Sequence, residues 1–474
     1  MKADAFHSHP FPPTIHVLPF MGGIALKHVL ILGAGISGLG AAHVLLRHGT
    51  HVVISDLKDQ IQNNKEKEEL IGLGAEFCFG AQSESLLDGM DAVVVSPVIP
   101  AENVVIQGAM KRHIPVLSEV ELAYRVTKAP ILAITGTNGK TTTTTLLGSM
   151  LSHSGRPFAL AGNLGISLSR EAELVPEDGL IAAEVSSFQL EFITRFRPKA
   201  AVILNITPDH LERHHTMEAY VAAKARIFEN MDETNCILLN ADDPYTPMLK
   251  KQAEAHTHVC LLSTSHGVEE GACLSGDRLV LKRRGETIPL CTAGELLLKG
   301  RQNIEDCLAA AFLAHEGGVD TAVIIEALKT FAALPNRIEF VRKLDGVSYY
   351  NDSKATNTDA ATKGMEAFDK PVILIAGGHD KGTPLSDFMQ TVRSHTKELI
   401  LLGAAAGRFE EAAREAGVSS IHRVSSMKEA VLLGQKLAKA GDVVILSPAC
   451  SSFDMYKNME ERGMDFKKNV KSLM

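Results

Sequence analysis

The stretch Ala129-Pro130-Ile131-Leu132-Ala133-Ile134-Thr135-Gly136-Thr137-Asn138-Gly139-Lys140-Thr141-Thr142 decides the fold. An apolar run suited to a buried strand ends in Thr-Gly-Thr-Asn-Gly-Lys-Thr and passes directly into a Thr- and Leu-rich helical segment. That is the layout of a phosphate-cradling loop. Backbone N–H groups at the turn and helix start face an anion, a Lys supplies a point charge, and a hydroxyl is placed to hold Mg²⁺. The spacing is shorter than G-x-x-x-x-G-K-[ST], because Ile134 stands where the first Gly would be. A Gly turn with a solvated Lys is the plainer reading. Strand before, helix after and Lys-Thr between favour nucleotide phosphate.

Upstream, His28-Val29-Leu30-Ile31-Leu32 reads as a strand, Gly33-Ala34-Gly35-Ile36-Ser37-Gly38 as a turn, and Leu39 to Leu46 as a helix. A second strand, His51 to Ser55, ends at Asp56. Taken literally the pattern is a dinucleotide fingerprint, NAD with Asp56 on a ribose. Alone it says only that a phosphate can approach a helix N-terminus. A later strand, Asp91 to Val95, runs into Ser96-Pro97-Val98-Ile99, a ligand-presenting loop or a plain turn.

Downstream, three apolar strands end in polar residues. Gly162-Asn163-Leu164-Gly165 is a turn with an amide between glycines, Leu180 to Ala183 ends at Glu184, and Ala200 to Leu204 ends at Asn205 ahead of Asp209 and His210. In a parallel sheet the carboxyl ends share one edge, where Lys140, Glu184 and His210 can converge as hard oxygen and imidazole donors for Mg²⁺. His214 and His215 read as surface residues. Lys224, in an amphipathic helical pattern from Tyr220 to Phe228, reads as a surface lysine on spacing alone. Four further strands are expected at Cys236–Asn240, His258–Leu262, Arg278–Leu281 and Glu295–Leu298, then a helix Ile304–His315. In the last third, strands Val347–Asn351, Pro371–Ala376, Glu398–Leu402 and Asp442–Leu446 alternate with helices, which predicts a doubly wound α/β domain. Polar clusters follow these strand ends too, as at binding sites.

The 474 residues suit about three domains. A net charge of −8 without a Lys/Arg run gives no basis for nucleic-acid or membrane partners. Seven scattered Cys without a C-x-x-C pair fit reduced thiols in a cytoplasmic protein. Residues 1–26, rich in His and Pro, read as a disordered extension or an over-called start, with translation beginning at Met21.

Thr135-Gly136-Thr137-Asn138-Gly139-Lys140-Thr141, Glu184-Val185-Ser186-Ser187-Phe188-Gln189-Leu190-Glu191, Asn351-Asp352-Ser353-Lys354-Ala355-Thr356-Asn357 and Ser447-Pro448-Ala449-Cys450-Ser451-Ser452 together resemble the Mur ligase family. The second and third stretches point to its D-glutamate-adding branch. The resemblance implies three α/β domains. A Rossmann-like domain (27–118) holds the UDP end of UDP-N-acetylmuramoyl-L-alanine, not NAD. A P-loop-type ATPase domain (119–333) follows, then a doubly wound domain (334–474) that brings D-glutamate and part of ATP. It implies ATP and two Mg²⁺ as cofactors and small molecules as partners, and a monomer is expected.

By matching motif, Gly136, Thr137, Asn138, Gly139, Lys140, Thr141 and Thr142 would cradle ATP, with Asn303, Arg337 and Asp352 in contact with it. Thr141 and Glu184 would ligate Mg²⁺, His210 a second Mg²⁺, and Lys224 matches a lysine that the family carbamylates. Gly35, Ile36, Ser37, Asp56, Ser96 and Asn163 would hold the UDP substrate, and Lys354, Thr356, Lys381, Ser452 and Phe453 the D-glutamate. Lys381 is the cation expected to meet the side-chain carboxylate. The chain departs from the family at Val98, where a Ser-Pro-Gly loop ends, and at Asn336, where Leu-Pro-His-Arg is usual. Where the family has His-Asn and a second Asn one turn later, it has Gln302-Asn303 and Asp306. Other readings are a related or folylpolyglutamate-type ligase for another amino acid, and a nucleotide-gated binding protein without chemistry.

Overall fold

Apolar runs that end in Gly or in polar residues become parallel strands in almost every case. The computed structural model describes residues 26–473 except 59–60, 62–63, 299, 333–334, 369 and 381. The proposed start at Met21, and Lys381, therefore lie outside the described residues. Two compact units emerge, one of the chain up to Ala133 with Gly155–Lys199 and Ala223–Asn235, the other of Ile134–Ser154, Ala200–Ala222 and the chain from Cys236 on.

In the first unit, β1 (His28–Leu32), β2 (His51–Asp56), β3 (Glu76–Phe79), β4 (Ala92–Val95) and β5 (Val116–Ser118) form a parallel sheet in the order β3-β2-β1-β4-β5. A strand in the middle of a helix-covered parallel sheet must be apolar on both faces. β1 is: Val29 and Ile31 pack with Ala41, Ala42 and Leu45 on one side, Leu30 and Leu32 with Val93, Val105 and Ile106 on the other. β6 (Ile131–Thr135) leads out of this unit into the second. β7 (Phe158–Gly162) and β8 (Leu180–Glu184) pair in parallel, Gly162 opposite Glu184. The helix Glu119–Val126 anchors the loops near them. Glu119 accepts the Ser167 hydroxyl at 2.7 Å and the Ser169 N–H at 2.6 Å, and Glu121 accepts the N–H groups of Thr194, Arg195 and Phe196.

In the second unit, β9 (Ala200–Ile203), β10 (Cys236–Asn240), β11 (His258–Ser263) and β12 (Gly271–Ser275) run parallel, and β13 (Arg278–Arg283) and β14 (Glu286–Thr292) extend them antiparallel. The strand expected at Glu295–Leu298 does not form. Glu295 accepts the Thr292 N–H at 2.8 Å in a capping box, which winds Ala293–Glu295 into a 3₁₀ turn instead. The last sheet has the order β15-β16-β20-β17-β18-β19, with β15 (Glu339–Leu344), β16 (Val347–Asn351), β17 (Val372–Ala376), β18 (Thr396–Leu401), β19 (Ile421–Arg423) and β20 (Val443–Leu446). It holds the four expected strands, an edge strand β19, and β15 joined to β16 through Asp345-Gly346, both at positive φ as a two-residue hairpin loop requires. Among the described residues no helix is long and apolar enough to cross a membrane.

Candidate active site

The phosphate loop is shaped by two glycines. Gly136 has φ +145°, and a Cβ there would lie 3.0 Å from the Leu204 Cβ; Gly139 has φ +88°, and a Cβ there would lie 2.1 Å from Asp306 Oδ1. The polar end of β9 fixes the loop: Thr137 N–H donates to Asn205 O at 2.9 Å, Asn138 N–H to Asn205 Oδ1 at 2.9 Å, and the Thr137 hydroxyl to Thr207 O at 3.1 Å. Lys140 Nζ bonds the carbonyls of Gly136 and Thr137, each at 2.8 Å, so the ammonium lies over the loop. No side chain caps the helix Lys140–Ser152, whose N-terminal N–H groups suit an anion. The Thr142 hydroxyl is buried without a hydrogen bond.

Beside the loop, within the second unit, lies a cavity of about 400 Å³. Of the residues expected at the site it brings together Asn138, Asn303, Arg337, Asp352 and Lys354. Asn205, Asn240, Asp242, Glu305, Asp359 and Lys363 are among the other polar residues that line it. Burial pushes Asp306 and Asp352 each up to about 7. Asp352 accepts the Ser447 hydroxyl at 2.7 Å and the Ile338 N–H at 3.2 Å. Two contacts tie the loop after β16 to the loops after β6 and β9: the Asn138 amide donates to Asp359, and the Asn357 amide to Asp209 at 3.2 Å. Asn357 closes the quoted Asn351–Asn357 stretch and Asp359 stands two residues beyond it, so the polar run was a signal for the first and only a neighbour of the second. Nothing local pointed to their partners.

His210, at φ +54°, starts the short helix Leu211–His214, its ring 3.7 Å from Asp209 Oδ2 and 3.5 Å from Glu212 Oε1. His214 is not a surface residue: it is buried with its ring 5.2 Å from that of Tyr220, whereas His215 is exposed as expected.

The loops expected to hold the amino acid are stapled by Arg462. Its guanidinium donates to Ser353 O at 2.8 Å, Ser353 Oγ at 3.0 Å, Cys450 O at 3.0 Å and Ser451 O at 3.2 Å. Loss of solvent on burial pulls the Arg462 guanidinium down to about 10, against the pull of the acceptors around it. Lys354 N–H donates to Asn336 O and Thr356 N–H to Lys354 O, Ser452 is buried, and Phe453 is 71% exposed.

In the first unit, Asp56 accepts the Ala34 N–H at 2.8 Å and the Lys58 N–H at 3.2 Å. The Ser96 hydroxyl donates to Gly33 O at 3.3 Å, and a Cβ on Gly33 would lie 2.5 Å from it. These two residues thus brace the Gly turn. Gly35 precedes the helix Ile36–Arg47 without a side-chain cap, Ser37 lies in its first turn, and Ile36 and Val98 are exposed. Asn163 donates to Glu184 Oε1 at 2.8 Å, while Oε2 is buried with no hydrogen bond. A buried carboxylate oxygen left open suits a hard divalent cation such as Mg²⁺. Lys224 corrects the spacing-based expectation: it is 1% exposed, on the same buried helix face as Tyr220 and Val221. Amphipathic spacing assigns a face to a residue but not the tertiary surroundings that can bury a cation.

Three family models match the chain: the Mur ligase MurD-like N-terminal domain over residues 27–118, the Mur ligase middle domain over 134–314, and the Mur ligase glutamate ligase domain over 336–450. They replace the NAD reading of the first Gly turn. A UDP-N-acetylmuramoylalanine--D-glutamate ligase of Pelotomaculum thermopropionicum is 43% identical over 94% of this chain and 98% of its own length. The protein so named in Clostridioides difficile is 39% identical over 94% and 99%. Among solved structures, MurF from Acinetobacter baumannii aligns with a TM-score of 0.61 at 17% identity, covering 94% of each chain. A pseudomurein peptide ligase from Methanothermus fervidus aligns at 0.58 and 19% identity, covering 89% of this chain and 96% of its own. These two show the fold alone.

Proposed function

This chain belongs to the Mur ligase family, and from that we propose that it joins D-glutamate to UDP-N-acetylmuramoyl-L-alanine at the expense of ATP, in peptidoglycan synthesis. The observation that carries the proposal is the cavity where Asn138 of the phosphate loop faces Arg337, Asp352 and Lys354 of the third domain. A nucleotide there would have its phosphates next to the loops that carry the amino-acid-binding motifs. The near-full-length relatives named as D-glutamate ligases support the choice of amino acid.

The chemistry follows from the poor electrophilicity of a carboxylate. A carboxylate oxygen of the L-alanyl substrate attacks the γ-phosphorus of ATP and ADP leaves. The D-glutamate amine then attacks the acyl carbon of the resulting acyl phosphate, loses a proton, and expels phosphate as the amide forms. Positioning and charge stabilisation carry most of the catalysis in such a transfer. Lys140 and the helix N-terminus behind it would take the phosphate charge, with Gly136, Thr137, Asn138, Gly139, Thr141 and Thr142 shaping the cradle and Asn303, Arg337 and Asp352 on the nucleotide. Glu184, Thr141 and His210 are proposed to hold Mg²⁺ at two sites, and Lys224 to join them as a carbamate, which replaces a cation by an anion. Mg²⁺, when bound, neutralises the charge that develops on the phosphates. Gly35, Ile36, Ser37, Asp56, Ser96 and Asn163 are proposed for the UDP substrate, and Lys354, Thr356, Lys381, Ser452 and Phe453 for D-glutamate. On this reading the chain works in the cytoplasm as a monomer, with domains at 27–118, 119–333 and 334–474. Phosphate release that requires both UDP-N-acetylmuramoyl-L-alanine and D-glutamate is the expected result; release with another amino acid and none with D-glutamate would overturn the proposal.

A further inference from the structure

Asp306 sits one turn beyond Asn303 on the helix Arg301–Glu316 and is 1% exposed. Its Oδ1 accepts the Thr143 hydroxyl at 3.2 Å and fills the space in which Gly139 can carry no Cβ. One carboxylate oxygen is therefore locked to the phosphate loop and its helix. The other, Oδ2, is buried with no hydrogen bond and faces Arg337 Nη1 at 3.9 Å. Arg337 mirrors it, with a buried Nε that also lacks a hydrogen bond. Its backbone is fixed between Asn336 at φ +65° and Ile338 at φ +41°, and its side chain lines the cavity.

A guanidinium offers five donors in a planar fork, so one edge can be held by an acid while another meets an anion. We propose that Asp306 is a positioning residue that holds Arg337 in register with the phosphate loop, so that loop and arginine close on a nucleotide's phosphates as one unit. This rests on the nucleotide reading of the cavity. The carboxylate matters here because an amide at the same position would still meet the Thr143 hydroxyl but offer Arg337 no charge. With its NH₂ turned toward Arg337 it would set donor against donor. Burial pushes Asp306 up to about 7, which ties its charge to the presence of a cation beside it. Glu305 and Lys363 also act on it, with opposite signs, and Arg337 acts most strongly of the three.

The test is a double-mutant cycle on the full chain: wild type, Asp306→Asn, Arg337→Lys and the double variant. Binding of ADP and of a non-hydrolysable ATP analogue is measured by calorimetry, and each chain is melted without nucleotide. Asp306→Asn is expected to weaken the analogue about tenfold, or about 1.4 kcal/mol. Its melting temperature should change little, since Arg337 lines the cavity, where water can take the place of the lost carboxylate. In the Arg337→Lys background the same change should cost less than about twofold, the non-additivity of a coupled pair. Additive losses, or an affinity loss that tracks a fall in melting temperature, would overturn the inference while leaving the nucleotide site intact. A wild type that binds neither nucleotide would overturn the nucleotide reading and this inference with it.

Discussion

Gly139→Ala perturbs the phosphate loop at its tightest point. The new Cβ would stand 2.1 Å from Asp306 Oδ1 on a residue with φ +88°. The left-handed backbone costs an L-residue about 1–2 kcal/mol, and overpacking of a filled site about 1–3 kcal/mol more. Asp306 cannot swing away cheaply, because its Oδ1 also accepts the Thr143 hydroxyl. If the loop yields instead, its N–H groups leave the anion and the same 2–5 kcal/mol is taken from phosphate affinity, about 30-fold or more at about 1.4 kcal/mol per tenfold. Gly155→Ala is the control. Its φ is +74° but no atom lies within 4 Å of the new Cβ, so it carries backbone strain without overlap. Calorimetric titration with ADP, run beside a thermal melt, should give a large affinity loss for Gly139→Ala and none for Gly155→Ala. Affinity within twofold of wild type and an unchanged melt for Gly139→Ala would refute the argument.

Lys140→Ala should abolish ADP formation by removing the ammonium from the loop, and a near-normal rate would show that the loop is not catalytic. Lys224→Ala should lose activity and regain part of it with added short carboxylates; no rescue would count against a carbamate at this position. Asp352, held near 7 by burial against an ordinary value of about 3.9, keeps its proton in the folded state after the unfolded chain has lost it. Its contribution to stability is therefore present below about pH 4 and lost as pH rises toward 7, with a slope of at most about 1.4 kcal/mol per pH unit. Unfolding free energy of wild type minus that of Asp352→Asn should fall between pH 5 and pH 7.5, and a flat or rising difference would contradict the burial argument.

Strands apolar on both faces, such as β1, β6, β8 and β17, announced themselves because a covered parallel sheet demands it. β15, with Arg342 and Lys343 in its run, did not, although the Asp345-Gly346 pair after it is a hairpin signal that composition alone carried. The phosphate loop and the polar strand ends were legible for the same reason: local spacing creates them. Lys224 was not, since a lysine is buried by what surrounds it and not by its own helix pattern. The contacts made by Asp306 and Asp359 were equally silent, because their partners Thr143 and Asn138 stand 163 and 221 residues away. For Asn303, Arg337 and Lys354 the family resemblance supplied what spacing could not, and the cavity collects all three.

In the proposed reaction ATP activates the alanyl carboxylate as an acyl phosphate. UDP-N-acetylmuramoyl-L-alanine labelled with ¹⁸O in its alanyl carboxylate, incubated with ATP and D-glutamate, tests it in one measurement. An acyl phosphate passes one labelled oxygen to phosphorus, so the expected product is phosphate carrying a single ¹⁸O in equal amount to the amide formed. Unlabelled phosphate released alongside labelled amide would contradict it.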